Sequence, residues 1–292
     1  MTLAESFPEI IRAHESMGPY TLLRLGGPAE FLVQPRSVAE LAAVLTQAAR
    51  EHIPVRVLGV GSNVLVRDEG VSGIVLRLTA PAFTQIEVDG RKVRAGGGAP
   101  LSALISEAAR HSLAGLETLV GIAATVGGAV RCNAGDRSGE IGQYVRRVEV
   151  LDSRQQSVWR EHEELRFSEH GSNLDDPVIL TAEFELDSDS ADAIVKRMRK
   201  TWITRKATQP YSFEAASRVF KNPRGLRAAT LIEAAGLKKT RVGGAEVSDR
   251  NANYVVASPG ATARDVLRLI DLVQAKVREA SGVALERDIL IW

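Results

Sequence analysis

The segment GIAATVGGAVRCNAG, Gly121–Gly135, holds four glycines together with Thr125 and Asn133. Glycine admits positive φ and lets the backbone approach a ligand closely. A pyrophosphate therefore has room to lie directly on the backbone amides of Gly127 and Gly128. Taken alone, the segment is more simply interpreted as a set of glycine-supported turns, so the rest of the chain has to decide between the two.

A second glycine loop, GVGSN at Gly59–Asn63, lies between two apolar runs. Its successive N–H groups are able to form an anion-binding nest. The loop does not match the dinucleotide motif GxGxxG, because the last glycine position is Val64, and neither GxxxxGKS nor GxxxxGKT occurs in the chain. If the two loops bind a nucleotide, they do so outside these standard motifs.

Composition restricts the class of protein. The 292 residues are 45% apolar and 25% charged, as in ordinary globular proteins, and the net charge of +1 creates no field that favours nucleic acid. The longest nearly apolar run, Leu119–Val130, has 12 residues, whereas a membrane helix needs about 20. Cys132 is the only cysteine, which excludes an internal disulfide and a CxxC site.

The N-terminus lacks a signal-peptide pattern, and the five histidines are scattered along the chain. We therefore expect a cytoplasmic protein that binds neither nucleic acid nor membrane and holds no metal. We also expect a monomer or a weak oligomer.

Hydrophobic periodicity predicts several helices. They cover SVAELAAVLTQAAREHIP, PLSALISEAARHSL, the stretch from Ser190 to Pro210, ATLIEAAGLKK, and ATARDVLRLIDLVQAKVREASG. Ser37 with Glu40, and Thr262 with Asp265, have the spacing of capping boxes at the first and last of these helices.

Strands are predicted over the β-branched runs between Val55 and Leu78, and over RRVEVLD and VILTAEFELD, where polar and apolar residues alternate. Asp89-Gly90 between two alternating runs predicts a hairpin. Helices and strands mix without a strict βαβ rhythm, so the predicted fold class is α+β. The composition shifts near residues 188–200, which suggests a domain boundary there.

The chain resembles the UDP-N-acetylenolpyruvoylglucosamine reductase family, flavoenzymes of peptidoglycan precursor synthesis that are also called UDP-N-acetylmuramate dehydrogenases. The resemblance runs from Tyr20 to Trp292 and rests on the order and spacing of these motifs: LRLGGPAEFLV, VLGVGSNVLVRDEGVSGIVLRL, AGGGAPLSALI, GLETLVGIAATVGGAVRCNAG, RKATQP, VFKNP, LIEAAGLKKTRVGGAEVSDRNANYVV and GVALERDILIW. The short segment between Phe167 and Pro177 resembles the compact form of the family.

The resemblance implies an FAD-binding domain of two α+β subdomains, as in vanillyl-alcohol-oxidase-like flavoproteins, over residues 20–188 with a split near residue 80. It further implies an N-terminal segment, 1–19, and a substrate-binding domain, 189–292. FAD-binding roles fall on Gly59, Gly61, Ser62 and Asn63 in one loop, and on Thr125, Val126, Gly127, Asn133 and Gly135 in the other. NADPH is the implied reductant of the flavin.

The resemblance also implies a UDP-sugar substrate. The residues that look like its ligands are Arg205, Lys206, Gln209, Lys221 and Asn222, which include cations suited to a diphosphate. In the family's reaction, hydride passes to an enolpyruvyl double bond, and an acid then protonates the neighbouring carbon.

Three positions that carry this chemistry in the family are substituted here. Arg218 stands where the family has a serine or cysteine proton donor, and a pKa above about 12 prevents it from donating a proton near neutral pH. His170 replaces an arginine, and Asp288 replaces a glutamate. Ser217 and Glu286 are neighbouring alternatives, although a one-residue shift in an extended segment turns Ser217 to the opposite face.

The substitutions leave three interpretations open: retained reductase activity, another flavin-dependent reaction, or an FAD-binding regulatory protein without turnover. With Arg218 unable to donate, turnover is expected to be slow unless His170 supplies the proton. Arg218 is expected to pair with a carboxylate, either that of a bound ligand or that of Asp288.

Overall fold

The computed structural model describes residues 3–136, 138–210 and 215–292. Contacts divide the chain into two compact units. The first comprises Met1–His14, Glu30–Gly59 and Ser72–Ile203, and the second comprises Glu15–Ala29, Val60–Val71 and Thr204–Trp292. The units thus interleave along the chain, and the sequence-based boundaries of 1–19, 20–188 and 189–292 stay a prediction.

The mixture of helices and strands confirms the α+β class. The helices are α1 (Leu3–Ser6), α2 (Val38–Arg50), α3 (Leu101–Arg110), α4 (Val126–Arg131), α5 (Ala191–Thr208), α6 (Ala228–Ala234) and α7 (Ala263–Ser281). In the described ranges, none of them combines the length and apolar character needed to cross a membrane.

The strands are mostly short. They are β1 (Ile11–Ser16), β2 (Pro28–Val33), β3 (Val55–Val57), β4 (Val64–Leu65), β5 (Val71–Leu76), β6 (Ile86–Asp89), β7 (Lys92–Gly96), β8 (Leu113–Ala114), β9 (Gly135–Asp136), β10 (Gly139–Glu140), β11 (Val145–Leu151), β12 (Ser157–Glu161), β13 (Phe167–Ser168), β14 (Gly171–Ser172), β15 (Val178–Glu185), β16 (Asp187–Ser188), β17 (Ala216–Arg218), β18 (Arg241–Val242), β19 (Ala245–Val247), β20 (Tyr254–Ala257) and β21 (Leu290–Ile291).

In the first unit, α2 shares one hydrophobic core with the sheet of order β1-β2-β5-β3. The helix begins as predicted, since Ser37 Oγ accepts a hydrogen bond from the Glu40 N–H at 3.2 Å. The Glu40 carboxylate, however, accepts from the N–H of Arg36 at 2.6 Å. Only the serine half of the predicted capping box is therefore present.

A second core of the first unit packs α3 and α4 with the antiparallel sheet of order β12-β11-β15-β7-β6. The predicted hairpin is the β6–β7 pair, but its turn lies one residue further on than predicted. Asp89 is paired with Lys92, so Gly90 and Arg91 form the turn, and Gly90 has a φ of +58°.

The second unit packs α6 and α7 with the antiparallel sheet of order β17-β20-β19-β18. The capping box of α7 is complete, because Thr262 and Asp265 each accept a hydrogen bond from the other's N–H. The hydrophobic periodicity that predicts this helix also predicts one buried face, and its apolar residues are buried: Val266, Leu269, Ile270, Val273 and Val277.

One buried amide completes the hydrogen bonding of this sheet where β17 ends. Asn253 Oδ1 accepts from the N–H of Phe220 at 2.9 Å, and Asn253 Nδ2 donates to the Phe220 carbonyl at 2.8 Å. Phe220 is itself buried. The asparagine of the NANY stretch thus fixes the backbone of the VFKNP motif, more than thirty residues earlier in the chain.

Asn253→Asp is expected to lower the free energy of unfolding by about 1–3 kcal/mol. The carboxylate keeps an acceptor for the Phe220 N–H, but it cannot donate to the buried Phe220 carbonyl. Urea unfolding measures the loss. Asn251→Asp is the matched control, because Asn251 Oδ1 only accepts, from the Asn253 N–H at 3.0 Å, and aspartate preserves that acceptor. Equal losses in both variants would contradict the donor role.

Candidate active site

The loop Gly59–Asn63 has the properties of an anion-binding nest. Gly61 has a φ of +65°, and a Cβ there would lie 2.6 Å from the Tyr20 carbonyl oxygen. The Gly61 carbonyl accepts from the N–H of Leu22 at 3.0 Å. In the described part of the chain, no backbone acceptor receives the N–H of Gly61, Ser62 or Asn63. These donors are thus available to a phosphate.

The second glycine segment is organised by Thr125, which caps α4. Its Oγ1 accepts from the Gly128 N–H at 3.3 Å, while the N–H of Gly127 donates to the Gly97 carbonyl at 2.8 Å. Both amides are therefore engaged within the protein. The expectation that a pyrophosphate lies on the amides of Gly127 and Gly128 stays a prediction, and binding there would compete with these two internal hydrogen bonds.

The two predicted flavin loops meet where Gly59 faces Thr125. A Cβ on Gly59 would lie 2.7 Å from Thr125 Oγ1 and 3.2 Å from Thr125 Cγ2. Glycine is needed here for space, since the structure leaves no room for any side chain. The sequence separates these residues by more than sixty positions, and the fold of the first unit brings them into contact.

The remaining predicted flavin residues serve the protein's own structure. Val126 is fully buried. Asn133 is also buried; its Nδ2 donates to Glu140 Oε2 at 2.7 Å and to the Ser168 carbonyl at 2.9 Å, while its Oδ1 accepts from the Gly142 N–H at 3.1 Å. Gly135 pairs with Glu140 in the β9–β10 ribbon. Contact of these residues with FAD stays a prediction.

The predicted UDP-sugar residues lie in the second unit, at the end of α5 or directly after it, and just after β17. Arg205 is buried and Lys206 is exposed. Lys221 Nζ donates to Glu286 Oε1 at 2.8 Å, and this hydrogen bond raises the pKa of Lys221. Asn222 Oδ1 accepts from the Ala228 N–H at the start of α6, at 3.1 Å. Gln209 is partly buried at the end of the described segment 138–210.

Arg218 forms an ion pair with Asp288, through Arg218 Nη2 and Asp288 Oδ2. This confirms one of the two pairings expected from the sequence. The Asp288 side chain is only 8% exposed, and that of Arg218 is 28% exposed, so the pair is partly withdrawn from water. The backbone supports it, because the Asp288 N–H donates to the Val219 carbonyl at 2.7 Å.

Ser217 does not take the position of the missing proton donor. β17 pairs with β20 without a bulge, so Ser217 and Arg218 point to opposite faces of the sheet. The Ser217 hydroxyl is buried and lies 2.8 Å from the Ser62 carbonyl oxygen. The alternative carboxylate, Glu286, is exposed and pairs with Lys221 instead.

His170 lies in the tight turn between β13 and β14, where it adopts a φ of +60°. Its side chain is mostly buried, and Nε2 lies 3.8 Å from Glu169 Oε1. The turn belongs to the first unit. A role for His170 in proton donation stays a prediction.

Tyr254 is a polar residue of this region that the sequence did not single out. It is directly opposite Arg218 in the β17–β20 pair. Burial raises the pKa of the Tyr254 hydroxyl, while the positive charges of Arg218 and Arg205 act to lower it. No local motif indicates this neighbourhood, because the pairing joins residues 36 positions apart.

Comparisons with known proteins agree with the geometry. The profile of an FAD binding domain matches residues 29–159, and the profile described as UDP-N-acetylenolpyruvoylglucosamine reductase, C-terminal domain, matches residues 209–292. The reductase named UDP-N-acetylenolpyruvoylglucosamine reductase 2 from Symbiobacterium thermophilum is 42% identical over 98% of this chain and 93% of its own length. The chain belongs to the UDP-N-acetylenolpyruvoylglucosamine reductase family.

Other members of this reductase family show the same extent of similarity. The reductase of Moorella thermoacetica is 41% identical over 97% of this chain and 93% of its own. The crystal structure of the reductase from Thermus caldophilus superposes with a TM-score of 0.84 at 37% identity, covering 97% of this chain and 99% of that one. The BBE-like 1 protein of Physcomitrella patens shares the fold alone, with a TM-score of 0.61 at 14% identity.

The two glycine loops have features that fit FAD, the cofactor of the matched FAD-binding domain. The close approach of Gly59 to Thr125 and the available N–H donors of Gly61, Ser62 and Asn63 are features that suit a flavin nucleotide. In the described ranges, by contrast, no group of three or more His, Cys, Asp or Glu side chains is arranged to hold a metal ion.

Gly59→Ala is expected to weaken FAD binding about tenfold or more, because the added Cβ overlaps Thr125 and pushes the two loops apart. The measurement is FAD released per protein chain after equilibration with a fixed excess of FAD. Gly171→Ala is the control, since its Cβ would approach only the rotatable Ser168 Oγ, at 3.3 Å. Undiminished FAD content in Gly59→Ala would contradict the assignment of this contact.

Proposed function

We propose that this protein is an FAD-dependent reductase that uses NADPH to convert UDP-N-acetylglucosamine enolpyruvate into UDP-N-acetylmuramate, a cytoplasmic step of peptidoglycan precursor synthesis. The observation that carries the proposal is similarity to reductases over nearly the whole chain, at 42% identity across 98% of it. The approach of Gly59 to Thr125 supports the FAD-binding part of the proposal.

Bound FAD would accept hydride from NADPH and deliver it to the enolpyruvyl double bond. Gly59, Gly61, Ser62, Asn63 and Thr125 would hold the cofactor, with the backbone donors of the nest on its phosphates. Asn133 and Gly135 would act indirectly, through the internal hydrogen bonds and pairing that shape the second loop. Val126 and Gly127 would act by packing.

The UDP-sugar would be held by residues of the second unit. Lys221 and Glu286 are both well exposed, so their ion pair contributes little to stability. A diphosphate can therefore replace the Glu286 carboxylate on Lys221 at small cost. Asn222 Nδ2 makes no hydrogen bond to a described residue and is available to the sugar. Arg205, Lys206 and Gln209 would complete this set.

Arg218 and Asp288 take the places that the family gives to a proton donor and a glutamate. Their side chains neutralise each other's charge in an ion pair. The cation of Arg218 can pair with the substrate carboxylate only if that carboxylate competes with Asp288. In either arrangement it holds charge and supplies no proton. The reductase reaction on this scaffold therefore needs a donor other than the residue at position 218.

A second candidate function is favoured by the same ion pair. In this case Asp288 keeps Arg218 neutralised and no group donates a proton to the substrate. The protein would then be a flavoprotein that takes hydride from NADPH and passes it to another acceptor, or a regulatory protein that binds FAD without turnover. Stopped-flow mixing separates these cases: NADPH bleaches the flavin in an enzyme, and the enolpyruvyl substrate restores its colour only in the proposed reductase.

UDP-N-acetylglucosamine is expected to raise the thermal midpoint of the native protein, since a ligand that binds only the folded state stabilises it. Arg205→Ala and Lys221→Ala should each weaken binding about tenfold, because each removes a charge-assisted contact to the diphosphate. Each variant is compared with itself, with and without ligand, so that any loss of intrinsic stability cancels.

Lys276→Ala is the control for these variants. Lys276 is an exposed lysine of α7 that pairs with Glu279, and its removal should leave the ligand-induced shift unchanged. If the shift persists at full size in both Arg205→Ala and Lys221→Ala, the assigned UDP-sugar site is wrong.

Arg218→Ser, alone and combined with His170→Arg and Asp288→Glu, restores the residue types that the family has at these positions. On the proposed function, reoxidation of reduced flavin by the enolpyruvyl substrate should already be measurable in the native protein, and the triple variant should exceed it by less than about the 10²-fold that a positioned acid supplies. A native rate of zero together with a fast triple variant would instead establish the second candidate.

A further inference from the structure

The second unit holds a phenol beside the cation that replaced the family's donor. In the antiparallel β17–β20 pair, Arg218 is directly opposite Tyr254. Directly opposed residues point to the same face, with Cβ atoms about 4.5–5.5 Å apart. Tyr254 therefore shares the face of Arg218, whereas Ser217 is on the other face with Val255.

The surroundings of the Tyr254 hydroxyl suit a proton donor. It makes no hydrogen bond to a described residue, so its O–H is available to a ligand. The charged groups that act on it are Arg218 from β17 and Arg205 from α5, and both are cations. Burial raises the pKa of the hydroxyl, and these two positive charges act against that effect by stabilising a phenolate.

We propose that Tyr254 is the proton donor of this site and that Arg218 stabilises the phenolate left behind. The inference rests on the proposed reductase function and deepens it. It gives the cation at position 218 a function. The family's small donor would be replaced by a phenol on the neighbouring strand, opposite position 218, and Arg218 would stabilise the conjugate base of that phenol.

The proton transfer needs no reactant other than the hydride of the reductase reaction and water. Hydride, with its two electrons, forms a C–H bond at one carbon of the enolpyruvyl double bond, and the electron pair of that double bond moves to the other carbon. The Tyr254 O–H bond then breaks, its proton forms the second C–H bond, and the phenolate oxygen retains the O–H electron pair. Water reprotonates the phenolate before the next turnover.

The coupling between Arg218 and Tyr254 is testable on the protein without substrate. Ultraviolet absorbance follows ionisation of the four tyrosines, and the difference from Tyr254→Phe isolates Tyr254. A neighbouring cation lowers the pKa of a phenol, so Arg218→Ala should raise the pKa of Tyr254 further, also because Asp288 is left unpaired. Arg218→Lys keeps the charge and should restore most of the native value. An unchanged Tyr254 titration in Arg218→Ala would overturn the proposal.

The decisive measurement is the half-reaction that contains the proton transfer. Tyr254→Phe should slow reoxidation of reduced flavin by the enolpyruvyl substrate about 10²–10⁴-fold, with FAD content and NADPH bleaching unchanged. Tyr144→Phe is the matched control for loss of a phenolic hydroxyl and should be unaffected. Arg218→Ser in the Tyr254→Phe background should recover at least about tenfold, since it returns a hydroxyl donor to the family's position.

The outcomes separate this inference from the proposed function. Native reoxidation that is equally fast in Tyr254→Phe overturns the donor role and leaves the reductase function standing. Absence of native reoxidation, with NADPH bleaching intact, overturns the reductase function and the donor role together. A slowed Tyr254→Phe that retains its FAD, with recovery in the double variant, supports both.

Discussion

The ion pair between Arg218 and Asp288 is the interaction around which the candidate chemistry of the second unit is arranged. It joins β17 to the C-terminal segment that ends in β21, and a backbone hydrogen bond from Asp288 to Val219 lies beside it. Removing one partner of a buried pair costs about 3–5 kcal/mol, because the other charge is left without compensation. Arg218 retains some exposure, so its removal should lower the free energy of unfolding by less than this amount.

Charge in this part of the second unit therefore serves the structure, and on the proposed function it also serves ligand binding. Two cations at and just after the end of β17, Arg218 and Lys221, each pair with a carboxylate of the C-terminal segment, Asp288 and Glu286 respectively. The Lys221 pair is exposed and easily exchanged for a phosphate, whereas the Arg218 pair is partly withdrawn from water and persistent. The C-terminal segment thus neutralises one cation in an exchangeable pair and one in a fixed pair.

Close backbone packing is the corresponding constraint in the first unit. Gly59 has no space for a Cβ beside Thr125, and Gly127 lies against the backbone of Gly97. Glycines that look like ligand contacts in the sequence thus divide into two kinds. The backbone N–H groups of Gly127 and Gly128 are engaged internally, while Gly61 belongs to a nest whose N–H groups remain available within the described ranges.

The sequence by itself determined the family and most of the longer elements, and it predicted the three substituted positions. The apolar stripe and capping box of α7 could be predicted because they depend on residues three or four positions apart, where local spacing fixes the geometry. Even locally there were limits: Glu40 turned to the Arg36 N–H, and the hairpin turn shifted by one residue to Gly90 and Arg91. Only the tertiary structure decided that Arg218 pairs with Asp288, that Tyr254 lies opposite Arg218, and that Asn253 fixes Phe220. Each of these contacts joins residues more than thirty positions apart, and strand register, which no local pattern encodes, selects the partner.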